Sequence, residues 1–427
     1  MLTPPTVMVT YWRRCGSSAG EKSNCRYGRR KTAPLRSRLG NSRVATLALQ
    51  LARHNGFFAT RLYYNKLANH RPPMTPRERW MAMFRGERPD RVPCDYWGTA
   101  EITDRLKRDL GCASDRALWQ RLGIDKCVFL GARHPRAKED TWHLPSLFSL
   151  FGIETRPIEY GEGLGVYEEI AKAPLANAET ISDIDSCPWP DARDFDYAGL
   201  RVECAQYHPE YPVLGVAYEP FYLYCRLRGM ERALEDVVAN PDFADALMGR
   251  IHALFEAIVR NSIEAAGDLF DFVYVAEDLG TQESLLMSPR AIRRFIMPRL
   301  AKMADVAHAA GKLVFHHDDG AIRPVLPDLL RIGIDVLNPI QWRSKGMQRE
   351  ALARDFGAGV VFHGGVDNQH TLPFGSREDV RREVGENIRI FRQSKGYVVA
   401  PCHNLQSNTP TENVVALYEA VEEFGRC

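Results

Sequence analysis

Two histidines and two aspartates stand side by side at the end of the stretch GKLVFHHDDG, Gly311–Gly320. A short apolar run bounded by turn-forming residues is typical of a buried strand. Because side chains alternate along a strand, we expect His317 and Asp319 on one face and His316 and Asp318 on the other. An imidazole and a carboxylate on one face can bind a metal ion or share a proton. The alternative interpretation is a surface loop of solvated charges.

Eight short apolar runs alternate with helix-period segments from residue 92 onward. They are Val92–Trp97, Cys127–Leu130, Val213–Tyr218, Phe272–Ala276, Leu313–Phe315, Val336–Ile340, Val360–Phe362 and Tyr397–Ala400. Strands that alternate with helices predict an α/β fold, and eight such units are typical of a parallel (β/α)8 TIM barrel.

An insertion interrupts this pattern between the second and third runs, at about residues 141–190. Its stretch TRPIEYGEGLGVYEEI places polar and apolar residues in alternation around GEGLGV. Alternation on both sides of a glycine-rich turn predicts a β-hairpin. The glycines do not lie between a strand and a helix, so the pattern does not indicate a nucleotide-binding loop.

Polar side chains gather after five successive runs, from the fourth to the eighth. In a TIM barrel these ends meet at one mouth, where active sites of this fold lie. Loop charges placed by chance would not follow the strands in this way, so the arrangement predicts an enzyme. The residues are Glu277, Asp278 and Gln282, His316 to Asp319, Asn338 and Gln341, His363 and Asp367, and Cys402, His403 and Asn404.

Four of these residues are candidate metal ligands. His317, Asp319 and His403 are of types that zinc accepts, and Cys402 competes as a fourth. Neighbouring residues on a strand point opposite ways, so Cys402 and His403 are not both expected to bind unless the strand has ended. A set with little sulfur also suits another divalent ion. The metal-free alternative is a hydrogen-bonded pair of His317 and Asp319 that positions a substrate.

Asp278, Gln341 and Asp367 are the candidate catalytic residues. Asp278 is expected to act as a general base or to orient a ligating histidine, with helix capping as the alternative. Gln341 offers a donor and an acceptor to a substrate. Asp367 follows two glycines and is either a substrate-facing carboxylate or a turn cap. His363 is interpreted as a wall residue rather than a ligand.

Four further residues are candidates for substrate binding. Trp97 and Tyr218 lie near the ends of the first and third runs, where aromatic rings can floor a large flat ligand. Core packing is the more common role of such rings. Gln282 and Asn404 lie in the segments after the fourth and eighth runs.

The charge is unevenly distributed along the 427 residues. Residues 1–73 hold 14 Lys or Arg and one acidic residue, a net charge of +13, whereas the remainder holds 42 basic and 53 acidic residues, a net of −11. We therefore expect a basic, mostly disordered N-terminal extension at 1–73 and the catalytic domain at 74–427. The extension resembles a transit peptide, but Met74 followed by the helix start TPRE favours a misplaced start codon.

Composition also limits the partners and the compartment. The total charge of +2 gives no field for nucleic acid, and no run approaches the length of a membrane span. The ten cysteines contain no CxxC spacing, which in a long chain favours reduced thiols in the cytoplasm.

Five motifs follow one another in the second half of the chain: EDLGTQESLLMSP, the HxxG of His317–Gly320, IGIDVLNPIQ, VVFHGGVDNQHTLPFGS and GYVVAPCHNLQSNTPTEN. On these motifs, the sequence from Met74 to the C-terminus resembles the uroporphyrinogen decarboxylase superfamily. This superfamily includes the decarboxylase of haem synthesis and corrinoid-dependent methyltransferases that pass a methyl group to coenzyme M. The resemblance implies a TIM-barrel enzyme with a small-molecule substrate.

The sequence departs from both branches of this superfamily. The decarboxylases carry an arginine-rich segment of the form RQAGRY that binds substrate carboxylates, whereas this chain has DYWGTAEITDRL. The methyltransferases carry HxCG and a later Cys or His that bind zinc. Here His317 and Gly320 are kept, Asp319 replaces the thiolate, and Cys402 and His403 hold the later position.

Three hypotheses follow from this comparison. The first is a metal-dependent methyltransferase that works with a separate corrinoid protein. The second is a cofactor-free uroporphyrinogen-type decarboxylase of porphyrin biosynthesis. The third is a non-catalytic barrel that binds a corrinoid or tetrapyrrole, since Asp319 stands where the thiolate is usual.

Overall fold

The computed structural model describes residues 73–137, 144–159 and 166–426. Within them, seven parallel strands and one separate antiparallel hairpin are present. In chain order the strands are β1 Val128–Leu130, β2 Glu154–Glu159, β3 Val166–Lys172, β4 Val213–Tyr218, β5 Phe272–Val275, β6 Leu313–His317, β7 Val336–Asn338, β8 Val361–Val366 and β9 Gly396–Pro401.

Helices connect successive strands and cover the outside of the sheet. The α-helices are Pro76–Phe84, Ala100–Leu110, Asp115–Leu122, Tyr197–Tyr207, Pro220–Arg228, Met230–Ala239, Pro241–Ala266, Pro289–Ala291, Met297–Ala309, Leu326–Arg331, Arg349–Phe356, Thr371–Phe374, Arg377–Phe391 and Thr411–Phe424. A π-helical turn, Ile292–Ile296, joins Pro289–Ala291 to Met297–Ala309. Every residue of β4, β5 and β8 is buried, as expected for parallel strands covered on both faces.

The sheet order is β1-β4-β5-β6-β7-β8-β9, and an irregular segment closes it into a barrel. Cys94 forms a parallel bridge with Val399 of β9, and its carbonyl accepts a hydrogen bond from the N–H of Asp125, 2.8 Å away. Side-chain carboxylates replace part of the ladder here, because Asp125 accepts from the N–H of Cys94 and Asp95 from that of Cys127, both at 3.0 Å. The predicted first strand is therefore in its place but is not a regular strand.

The predicted TIM-barrel architecture and its insertion are confirmed. β2 and β3 pair antiparallel and share no ladder with the barrel strands. The glycine-rich turn between them and the beginning of the insertion lie outside the described residues, as do residues 1–72 of the predicted extension.

A helix closes the barrel at the N-terminal ends of its strands. Pro76–Phe84 begins at the predicted cap, where the Thr75 hydroxyl accepts from the N–H of Glu78 and the Glu78 carboxylate accepts from that of Thr75. Trp80 is fully buried, packs 5.7 Å from the ring of Phe272 and donates its indole N–H to the carbonyl of Asp125. The barrel floor therefore depends on residues that directly follow Met74.

A chain that begins at Met74 is expected to fold like the full-length protein. Met74 already makes the N-terminal contacts of the floor: its N–H lies 3.0 Å from Asp90 Oδ2, and its carbonyl accepts from Arg79. The melting temperature and metal content of the two chains should therefore agree. A loss of more than about 5 °C, about a kcal/mol or more at this size, would show that residues 1–73 stabilise the fold.

Seven cysteines among the described residues are free thiols: Cys94, Cys112, Cys127, Cys187, Cys204, Cys225 and Cys402. Across the described ranges, none of the helices has the length and apolar character needed to cross a bilayer.

Candidate functional site

Three predicted ligands meet at the C-terminal mouth of the barrel. His317 ends β6, Asp319 follows it, and His403 follows β9. Asp319 lies between the two rings, with Oδ2 3.6 Å from His317 Nε2 and 3.7 Å from His403 Nε2. One ligand atom from each residue can be chosen so that all three atoms lie within 4.8 Å of one another. His317 and Asp319 are buried and His403 is half-buried.

The alternation predicted along β6 is present. His316 and Asp318 point away from this cluster, and both are fully buried. His316 Nδ1 lies 2.6 Å from the carbonyl of Val275, and Asp318 Oδ1 accepts from the N–H of Leu279 at 2.8 Å. One face of the strand end thus carries the cluster, while the other holds β5 and its following loop in place.

The cluster fits a divalent metal ion. Asp319 is 1% exposed, and neither of its carboxylate oxygens has a hydrogen-bond partner among the described residues. Such a buried carboxylate is costly unless it is paired, as it is by a protonated His317 at 3.6 Å, or coordinates a metal in place of that proton. Tetrahedral zinc with bonds of about 2.1 Å places its ligand atoms about 3.4 Å apart, close to the observed spacings. Two imidazoles and one carboxylate are a set that zinc and ferrous iron both accept.

Negative charge dominates the electrostatics of the mouth. Burial alone would lower the pKa of His317, but Asp319 and Asp278, with the bond to Asn338, outweigh it and raise the value to about 10. Asp278 Oδ1 lies 3.9 Å from His317 Nε2. The charge that favours a proton on Nε2 equally favours a metal cation at that atom.

Two carboxyl groups beside the cluster have raised pKa values. Burial, Asp319 and Glu219 raise the pKa of Asp278 to about 8, although His317 opposes them. Burial raises the pKa of Glu219 to about 7, against His317 and Arg226. Carboxyl groups of this kind are suited to exchanging protons with a substrate near neutral pH.

Asn338 and Trp97 hold the ring of His317 in place. Asn338 ends β7, and its Oδ1 lies 2.6 Å from His317 Nδ1. The Trp97 ring stacks on His317 at a centroid distance of 5.7 Å and an interplanar angle of 10°. Trp97 was predicted to floor a ligand; the structure places it under the candidate metal site.

Cys402 and Tyr218 are not brought to the cluster. The thiol of Cys402 donates to the carbonyl of Ile340 at 3.0 Å, and burial raises its pKa well above the ordinary value. Of the neighbouring pair, His403 therefore faces Asp319 and Cys402 faces the barrel wall. The hydroxyl of Tyr218 lies 2.6 Å from Nδ1 of His252, on the outer helix Pro241–Ala266.

Gln341 and Asp367 make structural contacts near the mouth. Gln341 Oε1 accepts from the N–H of Gly320 at 2.8 Å and so joins the loops after β6 and β7. The Asp367 carboxylate pairs with Arg343 and accepts from the N–H of Gln369 at 2.9 Å. These contacts match the turn-cap alternative for Asp367.

Gln282 and Asn404 lie in loops around the mouth. Gln282 Oε1 accepts from the hydroxyl of Ser344 at 3.2 Å, and its carbonyl accepts from the N–H of Lys345. Asn404 is buried directly after His403. The structure places both residues in the mouth loops.

Glu219 was not among the predicted site residues, and Asn338 was named among the polar strand-end groups without a role of its own. Asn338 stands inside the quoted motif IGIDVLNPIQ, and Glu219 directly follows the third apolar run and precedes Pro220. A bulge at Val216, where φ is 47°, breaks the alternation of β4 and was not visible in the sequence pattern. The strand-end rule applied to the later runs would have found Glu219.

The fold and site together define a TIM-barrel protein with a largely buried His–Asp–His cluster at its mouth. A family model described as Uroporphyrinogen decarboxylase (URO-D) matches residues 156–424. The chain therefore belongs to the uroporphyrinogen decarboxylase family, as the sequence motifs predicted.

Similar proteins include curated uroporphyrinogen decarboxylases and a solved methyltransferase structure. The uroporphyrinogen decarboxylase of Anaeromyxobacter dehalogenans (strain 2CP-C) is 27% identical over 256 residues, which cover 58% of this chain and 69% of that protein. That of Coxiella burnetii (strain RSA 493 / Nine Mile phase I) is 22% identical, covering 60% and 70%. A methyltransferase from Methanosarcina mazei has a similar fold, with a TM-score of 0.59, 19% identity and coverage of 82% and 99%.

Proposed function

We propose that this chain is a metal-dependent methyltransferase that moves a methyl group between a corrinoid, held by a separate protein, and a small thiol. The observation that carries the proposal is the His317–Asp319–His403 cluster, in which the buried carboxylate of Asp319 has no hydrogen-bond partner among the described residues. A divalent ion held by these three residues would lower the pKa of a thiol and supply a thiolate at neutral pH.

The residues of the chain position the reactants around that site. Asn338 and Trp97 fix the ring of His317, so that Nε2 faces Asp319. Asp278 Oδ1 lies 3.9 Å from His317 Nε2, so it would be close to a thiol bound at the cluster. We propose that Asp278 takes up the proton that this thiol loses. Glu219 adds negative charge that favours a cation over an anion at the mouth.

The first barrel segment argues against recognition of a polyanionic substrate. Its stretch 95–106 contains a single arginine, Arg105, whose guanidinium donates to the carbonyls of Ser407 and Thr409. That guanidinium is engaged in holding the loop before the last helix. A substrate with many carboxylates would also face Asp278, Asp319 and Glu219.

Metal analysis of the purified protein tests the proposal. We expect about one equivalent of divalent metal per chain, and loss of that metal in His317→Ala, because two ligands remain of three. His370→Ala is the matched control, since His370 is a solvent-exposed histidine beside Asp367. Wild type and control should demethylate methylcobalamin in the presence of thiols, and His317→Ala should not. Less than about 0.1 equivalent of metal in every variant would overturn the proposal.

Decarboxylation is the second candidate, favoured by the names of the relatives at 22–27% identity. It predicts conversion of uroporphyrinogen to coproporphyrinogen without a metal. If this protein forms no coproporphyrinogen while a control decarboxylase is active in the same assay, decarboxylation is excluded. If uroporphyrinogen is still converted after metal chelation and methylcobalamin is not demethylated, the decarboxylase function would replace the proposed methyltransferase function.

A corrinoid-binding barrel without catalysis remains the third alternative. Tight cobalamin binding, seen in the visible spectrum, without demethylation by thiols would support it over both enzymes. We also propose a reducing, cytoplasmic setting, which the free thiols of the described residues support.

A further inference from the structure

A continuous chain of buried hydrogen bonds leads from the first barrel segment to the candidate metal ligand. Asp95 Oδ2 lies 3.1 Å from His363 Nε2, and His363 Nδ1 lies 2.7 Å from the amide nitrogen of Asn338. The amide oxygen of Asn338 lies 2.6 Å from His317 Nδ1. Asp95, His363 and Asn338 are at most 1% exposed, so the chain runs through the barrel interior.

The carboxylate at the start of the chain sets its direction. Asp95 Oδ1 already accepts from the N–H groups of Tyr96 and Cys127, at 2.8 and 3.0 Å, and Oδ2 accepts from the indole of Trp97 at 3.0 Å. An ionised carboxylate only accepts, so His363 must donate from Nε2.

The charge of Asp95 is already balanced without His363. Lys126 Nζ lies 3.5 Å from Asp95 Oδ1, and a second buried cation on His363 would have no anion of its own. A neutral His363 that donates from Nε2 must accept at Nδ1, which it does from the amide of Asn338. The amide oxygen of Asn338 then accepts from Nδ1–H of His317.

We propose that Asp95 and His363 are positioning residues that, through Asn338, keep the hydrogen of His317 on Nδ1 and leave Nε2 to bind the metal. This inference rests on the proposed function, and it adds two residues that touch no ligand atom of the cluster. A histidine ligand generally donates its other ring nitrogen to such a partner, which fixes its tautomer and ring orientation.

Trp97 contacts both ends of the hydrogen-bonded chain from Asp95 to His317, which we call the relay. Its indole N–H bonds to Asp95, and its ring stacks on His317. A shift of Asp95 would therefore reach His317 along two routes, one through hydrogen bonds and one through packing. Asp95 thus influences both the tautomer of His317, through the hydrogen bonds, and the tilt of its imidazole ring, through Trp97.

Substitutions at position 363 separate this role from simple packing. His363→Phe fills the space but removes the acceptor, so we expect metal affinity, measured by chelator competition, to fall about 10- to 100-fold. His363→Gln can donate to Asp95 and accept from Asn338, and should bind metal within about threefold of wild type. His252→Phe, at a buried histidine of the outer layer, is the control and should lower stability without changing metal affinity.

Asp95→Asn keeps the shape of the side chain and tests the donor-to-acceptor direction of the hydrogen bonds. Its amide would donate to His363 Nε2, move the hydrogen of His363 to Nδ1 and reverse every bond as far as His317. We expect this variant to lose more metal affinity than His363→Gln, and the visible spectrum of bound Co2+ to change. Equal affinity of wild type, His363→Phe and Asp95→Asn would overturn the proposal.

Spectra of the metal-free protein distinguish this inference from the proposed function. Long-range 1H–15N spectra of histidine-labelled protein should show the Nε2–H form of His363 in wild type and the Nδ1–H form in Asp95→Asn. A hydrogen on Nδ1 of His363 in wild type would overturn the relay, whatever the metal content. If wild type binds no metal, the proposed function fails, and these spectra still decide the relay.

Discussion

Replacing Asp319 with alanine is expected to remove the proposed metal ion and to lower the proposed methyl-transfer rate by at least about a thousandfold. Asp319 is the residue that both histidines of the cluster face, at 3.6 and 3.7 Å, so its loss leaves two ligands and no anion between them. A metal centre lowers the activation barrier by several kcal/mol, and each lowering of about 1.4 kcal/mol raises the rate tenfold. Metal content and the demethylation rate of methylcobalamin measure the effect.

Two companion variants sharpen this prediction. Asp305→Ala removes an exposed aspartate from the helix Met297–Ala309 and should leave metal and rate unchanged. Asp319→Cys returns a thiolate to the cluster and should retain metal with a shift towards softer ions. An Asp319→Ala protein that keeps its metal would place the ion elsewhere. Activity gained only in Asp319→Cys would instead support a barrel that has lost its chemistry.

Replacing Gly280 with alanine is expected to disable the site while the barrel persists. Gly280 lies directly against the loop that carries Asp319: an added Cβ would overlap the carbonyl of Asp319 and lie 2.8 Å from the nitrogen of Ala321. Both obstacles are backbone atoms, so the two loops must move apart. The cost is about 1–3 kcal/mol of unfolding free energy, but a displacement of about 1 Å at a ligand is worth about a hundredfold in activity.

Gly249→Ala is the matched control for this loop substitution. Gly249 lies within the helix Pro241–Ala266, and the nearest atom to an added Cβ is Nη2 of Arg299 at 3.9 Å. Alanine there should raise stability by up to about 1 kcal/mol and leave metal content unchanged. If Gly280→Ala retains metal and activity at the wild-type level, the close approach of the two loops does not position Asp319.

The sequence by itself determined the architecture and the three clustered ligands. Strand runs and turns are local patterns, so the eight-part alternation was sufficient to place the barrel, and the alternation around GEGLGV was sufficient to place its hairpin. The period of two along β6 was sufficient to separate His317 and Asp319 from His316 and Asp318, since a strand end has two faces. The parallel order of the strands then brought His403 to the same mouth.

Only the tertiary structure decided what each remaining polar residue contacts. Cys402 and His403 are neighbours, and their choice of direction depends on where β9 ends relative to Ile340. Tyr218 lies near the end of its run, as predicted, but it follows a bulge in β4 and its hydroxyl contacts His252 of an outer helix. A single irregular residue of this kind leaves no periodic signal.

The relay from Asp95 to His317 is of the same kind. Its first link joins residues 268 positions apart in sequence, and the bond depends on the closure of the barrel by an irregular segment. Hydrogen-bond direction is set by the summed donors and acceptors around each group, and no local pattern records that sum. The sequence therefore determined which residues reach the mouth, and folding decided which nitrogen of His317 faces Asp319.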